Sequence, residues 1–199
     1  MMLSEELYPQ RVFYYFEQIA AIPHGSRNTK AISDYLVDFA KEHNLVWYQD
    51  ENNNVVIVKE ASAGYEAAEP IIIQGHMDMV CEKEKGVDID FEKDGLKLYI
   101  DGDFLKAEGT TLGGDDGIAV AYALALLDSQ EIAHPKLEVV ITVDEEIGML
   151  GADAIDLSML TGHTMLNIDS DVEGSFLTGC AGGNAVNVTL PVKRVAQHG

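Results

Sequence analysis

Short, continuously apolar segments alternate with amphipathic helical segments along this chain, and this alternation restricts the fold more than any other feature. The core strands that it predicts are "PIIIQGH" (70–76), "KLEVVITVDEE" (136–146) and "TMLNIDSD" (164–171). Apolar runs of this kind are typical of strands that are buried on both faces of a parallel sheet. We therefore predict an α/β fold with a mostly parallel central sheet flanked by helices.

Periodicity and turn-forming residues predict the remaining elements. Residues 10–22 and 28–43 have the apolar spacing of amphipathic helices, with Asn28 as the N-cap of the second. Residues 116–129 are almost entirely apolar, which predicts a buried helix. The other predicted elements are strands at 45–50, 54–60, 174–179 and 184–192, and a hairpin at 96–109 that turns at Asp101-Gly102.

The charge of the chain excludes some classes of partner. With 34 acidic and 13 basic residues, the formal net charge is −21, so nucleic acids and anionic membrane surfaces would be repelled. No apolar stretch approaches the roughly 20 residues of a membrane helix, and residues 1–10 lack the features of a secretory signal. Cys81 and Cys180 are far apart without metal-type spacing, so we expect reduced thiols in a cytoplasmic protein.

Polar side chains with metal-binding chemistry follow the predicted core strands. "GHMD", "VDEE" and "NIDSD" each end a strand, and "LGGDDG" precedes the buried helix. In sheets of this type, ligands bind beyond the carboxyl ends of the strands. Carboxylates gathered there repel one another and raise each other's pKa unless a cation compensates. One imidazole with several carboxylates suits zinc, with manganese or cobalt as substitutes.

Five motifs, taken together in their order and spacing, resemble a known enzyme family. They are "GHMDMV", "GTTLGGDDGIAVAYALALL", "VDEEIGMLGA", "NIDSDVEG" and "GCAGG", and they are similar to the dinuclear-zinc metallopeptidases related to carboxypeptidase G and aminoacylase. "GTTLGG" and "GCAGG" resemble the Xaa-His (aminoacyl-histidine, carnosinase-like) dipeptidase branch. The resemblance, which extends over nearly the whole chain, implies a zinc-peptidase-type catalytic domain. It also implies hydrolysis of dipeptides with a C-terminal histidine, by two zinc ions in the complete enzyme.

The resemblance also implies a role for each motif residue. The two zinc ions would share and activate a water, whose proton a general base accepts before passing it to the leaving amine. A cis peptide bond is expected between Asp115 and Asp116. The implied roles are His76 and Asp169 as ligands of the first zinc, Asp115 as the bridging ligand, Glu146 as a ligand of the second zinc, Glu145 as the general base, and Asp78 as the carboxylate that orients His76.

The same resemblance divides the chain in two. Residues 1–183 would form the N-terminal part of the catalytic domain, and residues 184–199 would begin an inserted lid domain through which the enzyme forms a homodimer. The expected second histidine ligand lies downstream of Gly199, so we expect this piece to bind at most one metal firmly and to have negligible activity alone. Val186, Val188 and Leu190 would share one face of the first lid strand, exposed unless it finds a partner.

Several alternatives share some of these features. A metallo-tripeptidase or an N-acyl-amino-acid deacylase would have the same metal site, whereas a non-catalytic binding relative would have no need of Glu145. An acidic scaffold without metal would require five motif matches by accident. A calcium loop starting at Asp88 is disfavoured because its sixth position is Lys93. Cys81 is a weaker candidate nucleophile, since His76 is better used on metal, and His24 either lines the cleft or is a loop residue.

Overall fold

The structure, a computed structural model, describes residues 3–170, 172–179, 182 and 186–193. After a short 3-10 turn at Leu3–Glu6, the helices are α1 (Gln10–Ala20), α2 (Lys30–Glu42), α3 (Gly114–Asp128) and α4 (Leu150–Ala154). The strands are β1 (Val46–Gln49), β2 (Val55–Lys59), β3 (Ile71–His76), β4 (Leu98–Asp101), β5 (Phe104–Ala107), β6 (Leu137–Thr142) and β7 (Thr164–Asn167).

Five strands form a mixed sheet with the order β1-β2-β6-β3-β7. β3 pairs in parallel with both β6 and β7, in a register that places His76 opposite Thr142. β2 pairs antiparallel with β1 and with β6, so it alone runs against the other four strands. The predicted mostly parallel sheet is therefore confirmed, and the carboxyl ends of β3, β6 and β7 lie at one edge.

Helices α2 and α3 pack their apolar side chains against one face of this sheet, and α1 packs against α3. α3 is apolar on nearly every side and has eight buried residues, as expected for a helix enclosed between α1 and the sheet. The main cluster joins these helices to β2, β3 and β6, while a smaller cluster on the opposite face includes Val56, Val58 and Val140. This packing fixes the positions of β3 and α3. The end of β3 and the start of α3 both lie at the sheet edge formed by the carboxyl ends of the parallel strands.

Two local predictions need correction. Thr29 occupies the N-cap position of α2, because the side-chain amide of Asn28 instead donates to the carbonyls of Phe91 and Glu92. The β4–β5 hairpin turns at Gly102-Asp103, one residue later than predicted. Its register pairs Asp101 with Phe104, and Gly102 takes the left-handed conformation (φ 61°) that the turn requires.

The two strands predicted near the C-terminus are absent from the residues that the structure describes there. Residues 174–179 and 186–192 form no strand, because no neighbouring strand offers them backbone partners and alternation alone does not stabilise a strand. Val186, Val188 and Leu190 are exposed. Residues 184–185, where the second strand was predicted to begin, lie outside the described residues. Within the described part of the chain, every helix is too short or too polar to cross a membrane.

Candidate metal centre

Four predicted ligands reach the same edge of the sheet from four different segments. β3 ends at His76, whose side chain is 1% exposed. Glu146 lies in the loop after β6, Asp169 follows β7 by two residues, and Asp115 lies in the distorted first turn of α3. The parallel pairing of β3 with β6 and β7 explains this convergence, because it brings three strand ends together.

The imidazole Nε2 atom of His76 is the centre of the cluster. It lies 3.0 Å from Asp115 Oδ1 and 3.8 Å from Asp169 Oδ2. Glu146 can place a carboxylate oxygen within 4.8 Å of ligand atoms of both His76 and Asp115. Glu145, the predicted base, has Oε2 at 3.9 Å from the same Nε2. The structure thus brings together all the predicted ligands and the predicted base around one nitrogen.

Asp78 holds the opposite side of the imidazole. The Nδ1 atom of His76 is 2.9 Å from the backbone carbonyl oxygen of Asp78 and 3.4 Å from its carboxylate Oδ1. The predicted proximity of Asp78 is present, although its carbonyl is the nearer acceptor. With Nδ1–H donating to Asp78, Nε2 is the ring nitrogen that could bind a metal after losing its proton.

Asp116 is a site residue that the motif analysis missed. It is 1% exposed, and its Oδ2 accepts a hydrogen bond from the backbone N–H of His76 at 3.2 Å. The peptide bond between Asp115 and Asp116 is cis, as predicted. A Cβ atom on Gly75 would lie 2.6 Å from Asp116 Oδ2, so glycine is required there. The glycine just before His76 was the signal in the sequence, since glycine inside a strand indicates a close approach.

The pKa shifts reflect a single imidazole surrounded by several carboxylates. Burial lowers the pKa of His76, but the hydrogen bond to Asp78 and the nearby carboxylates more than offset this and raise it to about 9. Burial raises the pKa of Asp116 to about 7, and the charges of Asp169 and Asp115 act in the same direction. Burial, with neighbouring carboxylates, also raises the pKa of Glu145 and of Glu146. Within the described residues, no lysine or arginine forms an ion pair with these carboxylates.

The donor set fits a divalent metal. Two overlapping groups have ligand atoms that lie within 4.8 Å of one another: His76 with Asp115 and Glu146, and His76 with Asp116 and Asp169. One nitrogen and several carboxylate oxygens match the preferences of zinc and of manganese. The second group contains Asp116 where the resemblance implied Asp115. The cluster opens onto a cavity of about 470 Å³ lined by Gly114, Asp115, Asp116, Ile118, Ile168, Asp169 and Ser170.

The alternative site residues have other surroundings. Burial raises the pKa of the Cys81 thiol, which disfavours the thiolate that a nucleophile needs. Asp90, in the segment considered for calcium, pairs with Lys93. His24 is buried, and its Nδ1 lies 2.6 Å from the carbonyl oxygen of Ile22. Its Nε2 lies 3.3 Å from where a Cβ on Gly113 would stand, so His24 is beside the loop that leads to Asp115.

Comparison with known proteins identifies relatives of this chain. The cytosol non-specific dipeptidase of Escherichia coli K12 is 40% identical over 191 residues, which are 96% of this chain and 39% of that protein. The aminoacylhistidine dipeptidase structure from Vibrio alginolyticus is 41% identical with a TM-score of 0.83, covering 86% of this chain and 35% of that one. A Staphylococcus aureus tripeptidase structure (24% identity, TM-score 0.68, 82% of this chain and 44% of that one) shares the fold.

The chain spans about two fifths of the length of the curated E. coli relative. The sequence model of peptidase family M20/M25/M40 matches residues 72–182, which include every residue of the proposed metal cluster. Together with the extent of the E. coli match, this shows that the chain belongs to peptidase family M20/M25/M40.

Proposed function

We propose that this chain carries most of the catalytic centre of a zinc-dependent dipeptidase that hydrolyses Xaa-His peptides. One observation supports the proposal above the others: a buried histidine presents Nε2 to the carboxylates of Asp115, Glu145 and Asp169, and no lysine or arginine among the described residues pairs with them. The single His76 imidazolium cannot offset all of these carboxylates, so a purely structural cluster would need a lysine or arginine as well. A divalent ion would offset it and would use the same donors.

In this proposal, the side chains divide into those that hold metal and those that handle protons. His76, Asp115 and Asp169 would hold one ion, and Asp115 with Glu146 would hold the other. When bound, such a pair of ions supplies Lewis-acid activation of a water molecule and of the scissile carbonyl. Manganese or cobalt could replace zinc on the same donors.

Glu145 is proposed as the general base because of its position and its environment. Its backbone N–H donates to Asp78 Oδ1 at 3.0 Å, which fixes the residue, while its carboxylate reaches toward the His76 Nε2 atom. Burial raises the pKa of Glu145 above its usual value, which makes the carboxylate a better proton acceptor near neutral pH. Its Oε atoms would take the proton from the attacking water and then release it to the leaving amine.

The substrate class is proposed from the relatives' names and from the size of the site. One relative is named a non-specific dipeptidase and the other an aminoacylhistidine dipeptidase. The cavity beside the cluster has the volume expected for a small ligand. A related metallo-tripeptidase or an N-acyl-amino-acid deacylase would use the same residues, and only a substrate panel separates them.

We propose a cytoplasmic enzyme, in keeping with the E. coli relative's name.

We also propose that the second metal is completed outside this chain. Only Asp115 and Glu146 are assigned to it here, whereas closed zinc sites usually have at least three protein ligands. A downstream histidine, together with a lid domain that starts near residue 184 and forms a homodimer, would complete the enzyme. This chain alone should then bind one zinc firmly and have negligible activity.

The test uses the metal-free chain and the longer protein proposed to contain it. Calorimetric zinc titration should give one tight site for the chain, and the longer protein should hydrolyse Ala-His faster than Ala-Ala, Ala-Ala-His or N-acetyl-histidine. Glu145→Gln should retain zinc and lose turnover, whereas the exposed control Glu131→Gln should retain both. Absence of zinc binding by the wild type, or equal turnover by wild type and Glu145→Gln, would refute the proposal. Preferential hydrolysis of the tripeptide or of the N-acyl substrate would refute the dipeptide assignment.

A further inference from the structure

The segment His24–Asn28 passes between two parts of the metal centre, and no motif discussed above includes it. We call it the clamp segment. Its backbone runs beside the residues that follow β3: Met79 N–H donates to the carbonyl of His24 at 3.1 Å, and Ser26 N–H donates to the carbonyl of Met79 at 3.4 Å. These contacts hold the clamp segment against the loop that contains Asp78.

The side chain of Ser26 contacts Asp78, the residue that holds the His76 imidazole. Its hydroxyl donates to Asp78 Oδ2 at 2.8 Å, while Asp78 Oδ1 accepts from the backbone N–H of Glu145 at 3.0 Å. The side chain of Asp78 is completely buried, so water cannot readily replace the serine as a donor. The orientation of this carboxylate therefore depends on Ser26 on one side and on Glu145 and His76 on the other.

The neighbouring residue makes a second connection, to the loop after β6. The backbone N–H of Arg27 donates to Asp144 Oδ1 at 2.6 Å, and Asp144 immediately precedes Glu145. Arg27 (φ 69°) and Asp144 (φ 54°) both have left-handed backbone conformations. Such conformations cost free energy in residues other than glycine and are concentrated at functional sites. These two residues are bonded to each other, and the bond joins the clamp segment to the residue that precedes Glu145.

Gly25 allows the segment to come so close. A Cβ atom at this position would lie 2.5 Å from the Sγ atom of Cys81, so a larger residue would require either the Cys81 side chain or the clamp segment to move. The close approach places the Ser26 hydroxyl within reach of Asp78. These two contacts explain why glycine and serine occupy positions 25 and 26.

We infer that Ser26 is a positioning residue of the metal centre, which acts through Asp78 to hold both the His76 imidazole and the Glu145 backbone in place. This inference rests on the proposed function only for its consequence, the affinity for zinc. The hydrogen bonds that it concerns join groups of the chain itself, so they can be measured without zinc.

Ser33 provides a matched control. It is completely buried, its hydroxyl donates to the carbonyl of Asn53 at 2.7 Å, and it accepts from the side-chain amide of Gln49. Ser33→Ala therefore removes a hydroxyl hydrogen bond of similar length, on the α2 side of the fold. Ser26→Thr keeps a hydroxyl at the clamp and should restore what Ser26→Ala loses.

The experiment measures amide hydrogen exchange of Glu145 by NMR in the metal-free chain, and zinc affinity by competition with a chelator. Ser26→Ala should speed exchange at Glu145 by about tenfold, because a freed Asp78 carboxylate holds that amide less firmly. It should weaken zinc binding about tenfold, the low end of the range for outer partners of metal ligands. Ser26→Thr should resemble the wild type, and Ser33→Ala should lower the melting temperature while leaving both readouts unchanged.

Unchanged exchange at Glu145 in Ser26→Ala would overturn the inference, as would an equal change in Ser33→Ala. Faster exchange only in Ser26→Ala, combined with a wild-type chain that binds no zinc, would support the positioning role and refute the proposed function. Faster exchange with unaltered zinc affinity, in a wild-type chain that binds zinc, would overturn the claim that Ser26 acts on the metal centre.

Discussion

The sheet buries a carboxylate near each of its ends, and the two have opposite surroundings. Glu138, near the start of β6, is completely buried. Its oxygens accept from Lys136 Nζ at 2.8 Å, from the Thr161 hydroxyl at 2.6 Å, and from the backbone N–H of Gly162 at 2.9 Å. Although burial raises the pKa of Glu138, these donors lower it to about 2.

Asp116, at the carboxyl edge, is buried to nearly the same extent, but among the described residues it accepts a hydrogen bond from the backbone N–H of His76 alone. Its pKa is raised to about 7. A buried charge is tolerated when donors and an opposite charge surround it. Glu138 meets this condition with the chain's own groups, whereas the carboxylates around His76 would meet it with a bound cation. Burial of an acidic residue alone therefore does not identify a functional site, but the balance of donors does.

The largest effect should come from removing the nitrogen at the centre of the cluster. His76→Ala should weaken zinc binding by more than about 100-fold, since loss of a direct ligand should exceed the 10- to 100-fold cost of losing an outer partner. The control is His134→Ala, which removes another buried histidine, away from the cluster. Competition with a chelator measures both. If the two variants bound zinc equally well, the carboxylates around His76 would not form a zinc site.

The second effect separates proton transfer from metal binding. In the complete enzyme, Glu145→Gln should lower kcat by about 100-fold or more, because it removes the proton acceptor while retaining the shape of the side chain. Zinc content should stay near that of the wild type. Steady-state kinetics and metal analysis on the same preparation check this prediction. An active Glu145→Gln enzyme would show that another group accepts the proton.

A smaller effect is expected at the opposite end of the sheet, and on stability. Glu138→Ala should lower the free energy of unfolding by about 2 kcal/mol, since it leaves the N–H groups of Thr161 and Gly162 and the Lys136 ammonium without their acceptor. Zinc affinity should not change. Denaturant unfolding measures the loss, with exposed Glu131→Ala as the control. A comparable loss of zinc affinity in Glu138→Ala would mean that both ends of the sheet serve the metal centre.

The smallest expected effect is on the stability of the fold at acidic pH. Because the folded-state pKa of Glu138 is about 2 against an ordinary value of 4.5, its contribution to stability is present above pH 4.5 and is lost as pH falls toward about 2. Glu138→Gln should flatten the pH dependence of the unfolding free energy in that window. Denaturant titrations at pH steps from about 5 to 2 measure the slope. A slope equal to that of the wild type would contradict the assigned pKa.

Most of the predicted site residues lie at strand ends, whereas Asp115 lies in the first turn of α3 and was predicted from the resemblance of its motif. His76, Glu146 and Asp169 follow apolar strands, and the parallel sheet brings such positions together. The sequence analysis did not identify Asp116 or Ser26, because the role of each depends on a contact with a residue far away in the chain. Asp116 contacts the backbone of His76, and Ser26 contacts Asp78.

Near the C-terminus, the sequence pattern predicted strands that the described residues do not form. Val186 and Val188 have the alternation of a strand, but the structure provides them with no partner among the described residues, and they remain exposed. Strand formation depends on pairing that a local pattern cannot specify. The turn of the β4–β5 hairpin was displaced by one residue for a related reason, because the cross-strand register decides which residues form the loop.

The central claim, that the carboxyl edge of the sheet is a metal centre, is tested most directly by anomalous diffraction at the zinc edge on crystals of the chain grown with zinc. We predict a peak at about 2.0–2.2 Å from His76 Nε2 and from at least two of the surrounding carboxylate oxygens. No peak should lie beside Glu138. A map with peaks only on exposed acidic side chains, and none within bonding distance of His76, would contradict the account.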